Sequence, residues 1–157
     1  MKKSNLYNFR NNTNLNQFIS KYGIRFRGDI VVRTSYYKYP HPKECLVENC
    51  KVHPEFLRSI KSQANKKKIV LNDDLLDNDD IVEEDSNLKF VYPYGQSLDV
   101  NQNISVIFNS GMLSYPINRP LCACNVSGKG RLFVLGSEKF FEDEYFEKEE
   151  NKKVTVI

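Results

Sequence analysis

Two histidines, no long apolar run, no apolar stretch behind the N-terminus and a net charge of only +3 bound what this 157-residue chain can do. The longest apolar runs, near Ile30–Val32, Ile104–Phe108 and Leu132–Leu135, fall far short of the ~18 apolar residues of a spanning helix. No direct membrane insertion is expected. Met1-Lys2-Lys3-Ser4 leads into Asn-rich polar sequence instead of a signal core, so an intracellular setting is expected and secretion is not. In such a reducing setting the four cysteines are not expected to form disulfides. Outside a secretory route, the Asn-x-Ser/Thr triplets at Asn11, Asn103 and Asn125 carry no meaning.

What is present fits a single domain: 40% hydrophobic and 27% charged residues suffice for a core at this length. Residues 1–40 hold eight Lys or Arg against one acid, Asp29. Aromatics interleave with these bases, yet Arg25, Arg27 and Arg33 fall in apparent strands whose alternation would put them on the solvent face, so no nucleic-acid partner is expected. From Ser62 to Asn87 the chain is different: Lys66–Lys68 precede eight acids between Asp73 and Asp85. That composition predicts an acidic, flexible loop, or else an acidic-hydrophobic strip that folds on a partner.

The pattern of apolar residues gives a coarse fold. Thr13 or Asn14 is placed to cap a helix carrying Leu15, Phe18, Ile19 and Tyr22, with Gly23 as its left-handed stop. Strands are expected over Ile24–Arg27 and Ile30–Thr34, joined at Gly28-Asp29, and Pro54 suits the start of a helix through Phe56, Leu57 and Ile60. The second half reads as β-rich, with strands at Leu88–Tyr92, Ser97–Val100, Ile104–Phe108, Leu121–Val126 and Arg131–Leu135. A single helix over Glu138–Lys153 would carry Phe140, Phe141, Tyr145 and Phe146 as one stripe.

Metal and phosphate chemistry find little support. Cys45, Cys50, His53, Cys122 and Cys124 could supply zinc ligands, but Cys45-x4-Cys50 is wide, and Cys122 and Cys124 alternate along an apolar strand, which predicts one core-facing pair with Ala123 opposite. Neither a metal nor any cofactor is expected. Ser127-Gly128-Lys129-Gly130 precedes a strand with no helix N-terminus behind it, so it reads as a hairpin turn and not as a phosphate cradle.

Five blocks in order carry a family resemblance: Asn12-Thr13-Asn14 followed by Tyr22-Gly23; Val31-Val32-Arg33; the tract Tyr36–Glu44 with His41-Pro42-Lys43-Glu44; Tyr92-Pro93 with Gly95; and Tyr115–Lys153. The last contains Asn118-Arg119-Pro120, Gly136-Ser137, Tyr145 and Glu149-Glu150-Asn151. This succession resembles the N-terminal domain of the intraflagellar transport protein 52 family. The resemblance implies an α/β, layered amidotransferase-like or flavodoxin-like domain, here truncated, with a β-rich C-terminal half. It makes residues 1–157 one partial domain, with 1–61 as helix and strands, 62–87 as the acidic loop and 88–157 as the β-rich part ending in a helix. Family members carry an upstream α/β half before the Asn12 block, so a fragment, a split gene model or a shortened paralogue is expected.

The resemblance also implies a role without catalysis: a scaffold in intraflagellar transport complex B, at the cilium or flagellum, its base and a cytoplasmic pool, with other complex B subunits as partners. Amidotransferase-type enzymes hold their nucleophile on a strand-to-helix elbow with small residues two positions either side. The only comparable turn is at Ser137, where Leu135 and Lys139 would crowd it. His41 is expected to satisfy a local hydrogen bond and Glu44 to pair with a base, while Arg119 at a structural corner would reach Glu142–Glu144. No active site is expected. The alternatives are a degenerate amidotransferase-like module binding a small ligand such as a sugar near Gly136 and Ser137, an enzyme with an unrecognised site, and a zinc protein.

Overall fold

A computed structural model of the protein describes residues 14–35, 38–60, 62 and 88–155. Asn12, Thr13 and the acidic stretch expected to be a loop lie outside the described residues. Helix α1 spans Leu15–Ser20, and the backbone leaves it through Gly23 in the left-handed region (φ 77°). Asn14 supplies its carbonyl to Phe18 N–H but makes no side-chain cap. The strands are β1 Ile24–Phe26, β2 Val32–Arg33, β3 Glu44–Val47, β4 Phe90–Pro93, β5 Leu98–Val100, β6 Ser105–Asn109, β7 Ser114–Tyr115, β8 Pro120–Ser127 and β9 Gly130–Leu135. Helix α2 covers residues 54–60, starting at Pro54 as expected.

Among the described residues these form four small sheets: β1–β5, β2–β7, β3–β4, and the three-stranded β6–β8–β9. All their ladders are antiparallel, so the described residues contain no parallel pair of the kind a flavodoxin-like layer needs. Helices and strands are mixed, and the second half is β-rich. The first two strands do not form the expected hairpin, because each has a long-range partner. Asp29, in the turn between them, is tied to Ser97 by backbone and hydroxyl bonds of 2.7 and 2.5 Å. The strands β3 and β7 were not legible, since ECLV is short and buried at every position and so shows no alternation.

Strand β8 organises the core. Cys122 and Cys124 face the larger cluster of Phe56, Phe90, Tyr92, Phe108 and Phe140, while Ala123 faces a second one with Ile19, Ile24, Leu98 and Val134. The alternation read from Cys122-Ala123-Cys124 is therefore the alternation of two cores. Within the larger cluster, Phe90 stands edge-on to both Phe108 and Phe140, at 4.9 and 5.9 Å between centroids.

The single C-terminal helix is a correction. The chain makes a 3₁₀ turn at Lys139–Phe141, an extended residue at Glu142, helix α3 at Asp143–Phe146, a left-handed Glu149 (φ 49°) and helix α4 at Asn151–Val154. One stripe is thus broken into separate contacts: Phe140 enters the large core, Tyr145 joins Tyr39, Leu46 and Val91 in a third cluster, and Phe141 is exposed. Long-range bonds at Glu150 and Asn151, described next, outweigh the few tenths of a kcal/mol per residue that helix propensity offers.

Candidate functional site

Most of the described residues that the resemblance singles out gather in two places on either side of β4. On one side, Tyr92 is buried and its hydroxyl donates to the Gln96 carbonyl (2.9 Å). The turn after β4 must pass close to this ring: a Cβ on Gly95 would lie 2.2 Å from Tyr92 Cε1. Gly136 is more confined still, because a Cβ there would lie 2.0 Å from Gln96 O and 2.5 Å from Tyr92 Oη. Ser137 is 3% exposed and its hydroxyl donates to the Pro93 carbonyl (2.5 Å). Tyr92, Pro93, Gly95, Gly136 and Ser137 form one interlocked joint between β4 and the end of β9.

On the other side, the C-terminal segment closes the outer edge of β4. Lys89 N–H donates to Glu150 Oε2 (2.8 Å) and Glu150 N–H donates to the Lys89 carbonyl (3.0 Å). Two residues along, Val91 N–H donates to Asn151 Oδ1 (2.7 Å), and Asn151 Nδ2 donates back to the Val91 carbonyl (3.0 Å). An amide side chain offers one donor and one acceptor, so Asn151 replaces one residue of a neighbouring strand. Both Asn151 and Val91 are fully buried.

Next to this clasp, Glu44 is 8% exposed and accepts from the Tyr145 hydroxyl (2.8 Å) and from His41 N–H (3.3 Å). Its partner is a phenol and a peptide, not the base expected from sequence. Burial first, and then the Glu44 hydrogen bond, push the Tyr145 hydroxyl far above its usual range. Glu149 accepts from the Tyr39 hydroxyl (2.8 Å) and pairs with Lys38 (2.5 Å). His41 Nδ1 accepts from Lys43 N–H (3.1 Å), as expected, and its ring tilts against Tyr94 at 5.0 Å.

The Pro42 and Lys43 carbonyls accept from Arg33 N–H (3.1 Å) and Tyr94 N–H (2.7 Å). Asn118-Arg119-Pro120 is a corner: Asn118 is left-handed (φ 52°) and its N–H donates to the Gly111 carbonyl (2.9 Å), and Arg119 N–H donates to Ser110 Oγ (3.0 Å). Pro120 opens β8. The Arg119 side chain is exposed, and among the described residues no ion pair joins it to Glu142–Glu144.

Chemically, the site binds its own chain. The Ser137 hydroxyl is engaged as a donor and is hydrogen-bonded to neither histidine. Burial pushes the thiols of Cys45 and Cys122 up to about 12 and that of Cys50 to about 11, so they stay protonated at neutral pH. Among the described residues, no three His, Cys, Asp or Glu side chains are grouped so as to hold a metal ion. No helix among them is long and apolar enough to cross a membrane.

The family model described as the IFT52 GIFT domain matches residues 7–157. The chain belongs to the IFT52 GIFT domain family. It is 38% identical over 151 residues to the intraflagellar transport protein 52 homolog of Mus musculus, covering 94% of this chain and 34% of that protein. It is 37% identical over 150 residues to the homolog of Homo sapiens, covering 94% and 32%. The chain thus spans about a third of the length of these curated relatives. The solved mmIFT52 N-terminal domain superposes with a TM-score of 0.70 at 36% identity, over 90% of this chain and 54% of that one.

Sequence reasoning missed several residues on which this GIFT domain relies. Arg33 is half-buried and not on a solvent face: its guanidinium donates to the Tyr39 carbonyl and, at 3.3 Å, to the carbonyls of Pro40 and His41. Five donors on a rigid plane suit an Arg to clamping a loop of carbonyls, but nothing in a period-2 pattern reports that. Asn16 bonds both the N–H (2.8 Å) and the carbonyl (3.1 Å) of Phe26, as Asn151 does for Val91. Asn16 stands two residues after Asn12-Thr13-Asn14, and that block was the available signal.

Proposed function

We propose that this domain is a structural, non-catalytic part of an intraflagellar transport assembly, working through protein–protein contacts. The observation that carries the reading is the use made of the family's signature residues: Glu44, Tyr145, Glu150, Asn151 and Ser137 each bond a distant part of the same chain. Residues so engaged hold a rigid scaffold in shape, and among the described residues they leave no nucleophile paired with a base. The names of the mouse and human relatives supply the transport role. The partners in this reading are other complex B subunits, and the place is the cilium or flagellum, its base and a cytoplasmic pool, with cilium assembly as the outcome.

The amidotransferase-like layering belongs to the same proposal. It would be a property of the wider domain, of which this chain matches about half, since it needs parallel strands that these ladders do not contain. The test is recovery of the tagged 157-residue chain from ciliated cells, with mass spectrometry of what accompanies it. Complex B subunits in the recovered material, reduced when Gly136→Ala destabilises the chain, are the expected result. A folded chain recovered without them overturns the scaffold reading.

A further inference from the structure

The third apolar cluster is held differently from the other two. Leu46 and Val91 belong to the β3–β4 ladder, but Tyr39 comes from the loop 38–44 and Tyr145 from α3. Polar bonds tie that loop to the C-terminal segment: Tyr39 and Lys38 both reach Glu149 (2.8 and 2.5 Å), and the Tyr145 hydroxyl reaches Glu44 (2.8 Å). Lys148 Nζ lies over the rings of both Tyr39 and Tyr145, at 5.4 and 4.2 Å. Among the described residues from 143 to 155, Val154 alone enters the largest cluster and none enters the second. A segment with so few apolar anchors has low local stability.

Its backbone is also held in place from outside. Helices α3 and α4 have four residues each and no side-chain cap, too short to persist alone. Between them Glu149 is left-handed (φ 49°), a conformation that a residue with a Cβ keeps only when its surroundings impose it. Tyr39 and Lys38 grip that residue, and the Arg33 guanidinium grips the loop that carries them, through the carbonyls of Tyr39, Pro40 and His41. Contacts therefore run without a gap from Arg33 through Tyr39 and Glu149 to Glu150 and Asn151, and so to the peptides of Lys89 and Val91.

We propose that the loop 38–44 and the segment from Asp143 to Val154 open and close together as one latch over the outer edge of β4, while the two larger clusters stay folded. Arg33 sets the latch by fixing the loop, and so governs an edge that it does not touch. Closed, the latch completes β4 with the side chains of Glu150 and Asn151. Open, it releases the peptides of Lys89 and Val91 to water. Phe90 and Tyr92 keep their bonds, because alternation along the ladder turns their peptides toward Val47 and Cys45 of β3. The proposal does not depend on the transport role.

Native-state hydrogen exchange of the 157-residue chain, read amide by amide beside Arg33→Lys, tests it. Lysine keeps the charge and loses the planar fork that spans several carbonyls. In the wild type the amides of Lys89 and Val91, and that of Glu44, which donates to the His41 carbonyl (3.0 Å), should share one opening equilibrium. It should lie about tenfold or more above that of Phe90 and Tyr92 on the same strand. In Arg33→Lys those three amides should exchange about tenfold faster still, with Phe90, Tyr92 and the β8–β9 ladder unchanged. If Lys89 and Val91 of the wild type open no more readily than Phe90 and Tyr92, the segment is not a separate unit and the proposal is overturned. It is overturned too if the variant leaves Lys89 and Val91 unchanged, whether or not Glu44 quickens, or if it speeds every amide equally, which would make Arg33 a contributor to global stability alone.

Discussion

The joint around β4 and the tip of the β8–β9 hairpin are built on opposite terms. At β4, backbone groups are matched by side chains from far along the chain, as with Val91 and Asn151, sixty residues apart, and the matched groups are buried. At the hairpin tip the bonds are local ladder bonds, and Val126 and Phe133 are exposed. Of the described residues that the resemblance singles out, Glu44, Tyr92, Pro93, Gly95, Gly136, Ser137, Tyr145, Glu150 and Asn151 lie at the first region, and none lies at the hairpin tip. Side-chain identity is constrained where one specific donor or acceptor must replace a strand, whereas a backbone ladder accepts many sequences. The residues that the resemblance singles out around β4 thus serve to close the fold.

The largest expected effect is at Gly136. Its added Cβ would collide with a backbone carbonyl, which cannot rotate away, so Gly136→Ala should cost about 3 kcal/mol or more in urea unfolding. Gly128→Ala is the matching change at the hairpin tip, where a Cβ meets nothing within 4 Å and only the positive φ is strained, at about 1 kcal/mol. Equal losses at the two glycines would remove the contrast between the regions.

Second is Asn151→Ala, which leaves the buried N–H and carbonyl of Val91 without partners. Each such group costs roughly 1–3 kcal/mol, so a loss of at least about 2 kcal/mol is expected by thermal or urea unfolding. A loss under about 0.5 kcal/mol would mean that water or a neighbouring strand takes over the edge, and that Asn151 is not a substitute strand.

These two positions also show what a sequence can and cannot tell. The long strands β6, β8 and β9, the hairpin turn and the two faces of Cys122-Ala123-Cys124 were legible because periodicity and turn chemistry are local. The C-terminal helix was misread for the same reason: Phe140, Phe141, Tyr145 and Phe146 suggest a stripe, while the bonds that break it come from Lys89 and Val91. Arg33 and Glu44 were misassigned because their partners are carbonyls and a phenol held by tertiary structure. The motifs located the joint from resemblance, and the geometry supplied each residue's work in it.

Tyr145→Phe should have a smaller effect than either. It removes the hydroxyl that donates to Glu44 Oε1 but keeps the ring in its cluster with Tyr39, Leu46 and Val91. Glu44 retains His41 N–H at 3.3 Å, so a loss of about 1–3 kcal/mol is expected, in the range for one bond to a buried charged group. The double variant Tyr145→Phe with Glu44→Gln tests the pairing, because the second change should cost less once the hydroxyl is gone. Additive losses would show that the two groups act independently.

The smallest effect is one of pH, at Glu149 on the rim of the same region. Burial pushes its carboxyl up, but hydrogen bonds from Lys38 and Tyr39 outweigh that, and the net shift is downward from the ordinary 4.5. A carboxyl held below its unfolded value contributes stability that is fully present above pH 4.5 and is lost as the pH falls through the lower, folded value. Glu149→Gln should therefore be less stable than the wild type at neutral pH, and the gap between them should narrow only below about pH 4.5. Comparing the two profiles cancels the other carboxylates that titrate in the same range. A gap that stays constant down to acid unfolding would show that Glu149 acts through shape and neutral hydrogen bonding, and the charge on Lys38 would then contribute nothing to closing the joint.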